Sequence, residues 1–245
     1  MNEELNNYVK GNKRINIFNM IKVCKLVENM AIDEIRKIGF SEPMYKIYCV
    51  IRDFRGYDIE TMGDQLFRNK KIIVNLNKKL IDAIGDKATL KDVENLDDIN
   101  RTFTRIDLFL ILFHELEHVR QAKMFETGNV NNTDLYKDRL LRLYFEHFGE
   151  DYYAVNYKVT SEEVLANIKA VQKTIDYFNN NGIDFNKYEL EILKRKMDSL
   201  HALLNNKERI NPIDGKVYNL DYLYEMALND ERYRVKSLTE GKSRK

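Results

Sequence analysis

Apolar positions recur at close to 3.6-residue spacing along much of this chain, which predicts a predominantly helical fold. The first long run covers residues 14–38. There Ile17, Met20, Ile21, Cys24, Val27, Ala31, Ile35 and Ile38 share one stripe, and Gly39 closes it. The pattern changes at Ser41-Glu-Pro43. Residues 44–54 are rich in Tyr, Ile and Val and read as a strand or a short helix. Residues 67–77 make the clearest strand, because the segment Lys71-Ile-Ile-Val-Asn-Leu-Asn77 is β-branched and bounded by polar side chains. A short helix over 78–88 and an acidic loop or short helix over 92–100 follow. A strong helix is predicted over 105–125, opened by the capping-box pattern Thr104-x-x-Asp107 and closed by Gly128. Further helical periodicity covers 134–148, 161–178, 188–204 and 220–228.

Ten Gly and two Pro in 245 residues leave few punctuators, consistent with mostly helical structure. The expected class is α+β, predominantly helical with one small sheet. No linker or repeat divides the chain. We expect a single domain over 1–245, with a core at about 44–180 and helical extensions at 1–40 and 181–245. Lys and Arg total 40 against 39 Asp and Glu. A balance that close gives no general attraction to nucleic acid or anionic membrane, and the basic tail Gly241–Lys245 reads as a frayed end. The longest apolar run, Leu108 to Phe113, is too short to span a bilayer, and the polar N-terminus has no signal-peptide core. Cytoplasmic location is the expectation. Cys24 and Cys49 both sit among apolar residues and read as buried thiols.

The helix over 105–125 carries Leu112-Phe-His114-Glu115-Leu-Glu-His118-Val-Arg-Gln121. Residues four apart lie on one helical face, so two imidazoles at 114 and 118 can reach one metal ion at about 2.0–2.1 Å. Glu115 is rotated about 100° from that face. It flanks the ion and is placed to take a proton from a metal-activated water as a general base. Helical projection puts Ile111, His114, His118 and Gln121 along one stripe. Glu117 points elsewhere and reads as a solvated or salt-bridged surface residue. The chain has four histidines, so this coincidence is specific.

A tetrahedral catalytic site needs a third protein ligand, with water as the fourth. Gln121 and Met124 stand where one zinc-peptidase pattern requires Gly and His, which excludes that pattern. Glu163 in Ser161-Glu-Glu163-Val-Leu-Ala-Asn167 is the expected ligand, with Asn167 one turn on as a supporting residue. Thr160-x-x-Glu163 is also a capping box, which would occupy Glu163 with a backbone N–H instead. Glu162 and His147 are the other candidates. His201 reads as structural. Tyr152, Tyr153, Tyr157 and His147 are the candidates for stabilising an oxyanion.

The strand Ile72-Ile-Val-Asn75, the helix with His114-Glu-Leu-Glu-His118, and Glu163-Val-Leu-Ala-Asn167 together resemble the zincin metallopeptidases of the gluzincin branch. Within these, the segment over about 70–170 is most similar to ImmA/IrrE-type peptidases and related proteins of phages and mobile elements. The resemblance implies a zincin-like fold, Zn2+ held by His114, His118 and Glu163, Glu115 as base, and a protein or peptide substrate. It also implies that the strand at Ile72–Leu76 lies above the cleft and pairs with an extended peptide. Against this stand a non-catalytic zinc module that binds a partner protein, and an effector using the same chemistry inside a target cell.

Overall fold

The computed structural model describes residues 3–11, 15–40, 44–53, 63–68, 70–95 and 102–232. It is predominantly helical with a small sheet, as the periodicity predicts. The chain forms two compact units: Met1–Thr127 with Ala166–Ser199, and Gly128–Leu165 with Leu200–Lys245.

In the first unit, α1 (Glu3–Lys10) precedes α2 (Ile17–Lys37). Asn16 caps α2 by accepting the Asn19 N–H at 2.9 Å, and Gly39 leaves it at φ +104°. Val23, Val27, Ala31 and Ile35 are buried along one face of α2. The sheet has β1 (Lys46–Arg52), β2 (Gly63–Arg68) and β3 (Lys71–Asn77) in the order β1-β3-β2. β1 runs parallel to β3, and β2 runs antiparallel to it. The single strand expected over 67–77 is thus a hairpin. Lys70, at φ +59°, turns the chain back, so Phe67 pairs with Ile72 across it. Of the segment over 44–54, expected as a strand or a short helix, β1 is the strand and the end falls outside the described residues, as do part of the acidic loop or short helix over 92–100 and the basic tail.

Asn77 caps α3 (Lys78–Asp82), and Thr89 with Asp92 forms a capping box on α4 (Leu90–Glu94). The central helix α5 (Arg105–Thr127) starts as the sequence predicts. Asp107 accepts the Thr104 N–H at 2.8 Å and its hydroxyl at 2.9 Å. Its apolar residues are buried on several faces, as expected of a helix inside a core. Arg105 is itself fully buried. It makes a bidentate pair with Glu189 at 2.8 Å and donates to the carbonyls of Val9 and Asp184. Those bonds offset the cost of burying both charges.

The second unit contains α6 (Thr133–His147), α7 (Tyr152–Asn156) and a 3₁₀ turn at Tyr157–Val159. Then α8 (Ser161–Asn180) begins. After α9 (Lys187–Leu204), the hairpin β4 (Glu208–Ile210) and β5 (Val217–Asn219) leads to α10 (Leu220–Asn229). Leu141, Tyr144, Phe145, Tyr152, Leu220, Leu223 and Ala227 form this unit's core. Asp138 is its polar centre. It takes Arg209 Nε and Nη2 at 2.9 Å each, the Tyr152 hydroxyl at 2.6 Å and the Ser161 N–H at 2.8 Å. One buried carboxylate therefore ties α6, α7, β4 and the start of α8. No helix among the described residues is long and apolar enough to cross a membrane. Cys49 is buried and Cys24 half-buried, both as thiols, and burial pushes Cys49 up to about 12.

Candidate metal centre

On α5, His114 and His118 turn the same way. Their Nε2 atoms lie 3.0 Å apart with the rings nearly perpendicular. Two nitrogens at about 2.05 Å from one tetrahedral ion would sit about 3.3 Å apart, so this spacing fits shared ligation. Gln121, one turn further and 3% exposed, sets the tautomer of His118. Its amide Oε1 lies 3.0 Å from His118 Nδ1. A carbonyl oxygen only accepts, so Nδ1 carries the proton and Nε2 keeps the lone pair that a metal needs.

Helix α8 packs antiparallel on α5. Phe109 stacks on Tyr177 at 4.5 Å and meets the edge of Phe178, while Lys173 lies over Phe113. Glu163 lies in the first turn of α8. One donor atom from each of His114, His118 and Glu163 lies within 4.8 Å of the others. Among the described residues this is the group with metal-ligand spacing. Two imidazoles and one carboxylate match the donor set of catalytic zinc sites.

The alternatives for the third ligand separate on local contacts. The Thr160 N–H, which a capping box would give to Glu163, donates to Asn156 O at 3.0 Å, and the Thr160 hydroxyl turns to Tyr157 O. Glu162 faces Arg139 at 3.6 Å and Arg142 at 3.7 Å. His147 ends α6 with its ring edge-on to Phe148. His201 is exposed on α9. Asn167 lies one turn beyond Glu163 on α8, half-buried. Glu117 departs from the surface role expected of it. It is 1% exposed and holds Arg120 through both carboxylate oxygens, while Arg120 Nη1 reaches Met124 Sδ at 2.9 Å.

Among the four oxyanion candidates, Tyr153 donates its hydroxyl to Glu163 Oε1, in the ligand group. Burial first, then the Glu163 charge and the hydrogen bond to it, raise the Tyr153 phenol, so it stays a donor. The Tyr152 hydroxyl is committed to Asp138, and the Tyr157 ring packs edge-on against Tyr153.

Glu115 is 6% exposed, and β2 passes directly over it. A methyl group built on Gly63 would fall 2.8 Å from Glu115 Oε1 and from Ile111 Cγ2. Only glycine lets the strand approach this closely. Gly63 carries only a weak mark in the sequence, a glycine three residues before the apolar pair Leu66-Phe67. The pairing of a peptide with the strand at Ile72–Leu76, which the resemblance implies, is not available. β3, with Ile72–Leu76, is the central strand, and its hydrogen-bonding edges are taken by β1 and β2. The strand next to Glu115 with an edge directed away from β3 is β2. No protein-family profile, curated protein or solved structure matches this chain.

Proposed function

We propose that this chain is a zinc-dependent metallopeptidase that hydrolyses peptide bonds of a cytoplasmic protein substrate. The observation that carries the reading is the convergence of His114, His118 and Glu163 donor atoms within 4.8 Å, with Glu115 directly following the first histidine. Three protein donors of this kind leave a coordination position for water or substrate. A bound zinc ion would supply Lewis acidity, polarising the scissile carbonyl and acidifying a water molecule.

The chain's own residues account for the rest. Gln121 fixes the His118 tautomer, and Asn167 supports Glu163 from one turn along α8. Glu115 is held against β2 outside the donor group, takes the proton from the attacking water and returns it to the leaving amine. An extended substrate would pair along the edge of β2 opposite β3, which brings its backbone beside Glu115. This assigns to Gly63–Arg68 the role that the resemblance implies for Ile72–Leu76.

The test is Glu115→Gln. The variant should bind zinc as the wild type does and generate no new termini in a denatured-protein mixture analysed by mass spectrometry. Cleavage at the wild-type rate by this variant would remove Glu115 from the mechanism.

A further inference from the structure

We propose that Tyr153 is a positioning residue for the metal centre, fixing which oxygen of Glu163 faces the ion. The inference rests on the metal-centre reading above and adds to it a residue outside the ligand set.

Tyr153 donates its hydroxyl to Glu163 Oε1. With Oε1 engaged by the phenol, Oε2 is the oxygen left to serve as the ligand atom. It is also buried. A carboxylate held through one oxygen presents the other in a single orientation and is kept from chelating through both.

The phenol is itself held. The Arg142 guanidinium lies 4.5 Å from the centroid of its ring, and Tyr157 packs edge-on at 5.3 Å. Arg142 is oriented in turn by Glu162, the neighbour of the ligand. Asp138 then ties down both backbone segments concerned. One of its oxygens accepts the hydroxyl of Tyr152, adjacent to Tyr153, and the other accepts the N–H of Ser161, two residues before Glu163. Donor and acceptor are thus anchored to one buried carboxylate. The same commitment separates this role from oxyanion stabilisation, in which the phenol proton would point to substrate.

The experiment measures metal affinity, not turnover. Zn2+ and Co2+ are titrated into wild type, Tyr153→Phe, Glu163→Ala and the double variant, against a chromophoric chelator, with the visible spectrum of the cobalt form recorded. Phenylalanine keeps the ring that Arg142 and Tyr157 pack on, and thermal melting of the metal-free proteins checks the fold. Loss of the hydroxyl should weaken binding about 10- to 100-fold, the usual effect of removing a residue that orients a ligand. It should also alter the cobalt spectrum as Glu163 gains freedom to bind through both oxygens. In the Glu163→Ala background the same change should have no effect. Wild-type affinity and spectrum for Tyr153→Phe would overturn the proposal, even if turnover fell. An equal loss in both backgrounds would overturn it too, because Tyr153 would then act elsewhere. If the wild type bound neither metal, the metal centre itself would fail, a result distinct from either.

Discussion

Replacing Gly63 with alanine tests how closely β2 is fitted over the proposed base. The added methyl would meet Glu115 Oε1 and Ile111 Cγ2 at 2.8 Å and Glu115 Cγ at 2.9 Å. Ordinary contact begins near 3.4 Å, so these atoms must yield by about 0.6 Å. The Glu115 carboxylate can swing, but Ile111 is β-branched in a helix and has one favoured rotamer. Overpacking of this kind costs roughly 1–3 kcal/mol. The lower entropy of an unfolded chain with alanine returns about 0.4–1 kcal/mol. A net loss of about 1–2 kcal/mol should lower the melting temperature by roughly 2–8 °C in a chain of this size. The larger effect falls on catalysis, since displacing a catalytic group by about 1 Å can cost 100-fold. The assays are thermal melting, zinc titration and cleavage of a denatured-protein mixture. Zinc affinity should fall far less than cleavage, because the methyl meets Ile111 and Glu115 and neither histidine. Unchanged melting and unchanged cleavage would refute the close approach of β2 to Glu115.

Two further substitutions probe what holds the site. Gln121→Leu removes the acceptor for His118 Nδ1 and should weaken zinc binding about 10- to 100-fold, with little change in metal-free stability; isothermal titration checks this. Asp138→Ala leaves Arg209 buried without its carboxylate, and should cost about 3–5 kcal/mol in urea unfolding.

The long helices were legible because packing against a core imposes a 3.6-residue period on them, and their ends carry chemical marks. Asp107 at the start of α5 and Gly128 at its end do what their residue types predict. The metal pair was legible for a similar reason, since spacing within one helix is fixed by the helix itself. The β2–β3 hairpin was not. Its turn uses Lys70 in the left-handed region, a residue without the usual turn preference, so Phe67 and Ile72-Ile73 read as one strand. The β4–β5 strands are three residues each and depend on a closure at Asn211, where Gly215 N–H and Lys216 O meet its backbone. Asp138 carries no mark in the sequence, since its partners Tyr152, Ser161 and Arg209 come from later segments. Glu163 could be proposed from its motif, but its separation from Glu162, His147 and its own capping role needed the contacts of Thr160, Arg139 and Arg142.

The central claim is that His114, His118 and Glu163 hold a zinc ion. Metal analysis of the purified full chain, alongside His118→Ala and Glu115→Gln, tests it most directly. The account predicts one zinc per chain in the wild type, retention in Glu115→Gln and loss in His118→Ala. A wild-type protein that takes up no zinc, or a His118→Ala variant that keeps it, would contradict the claim.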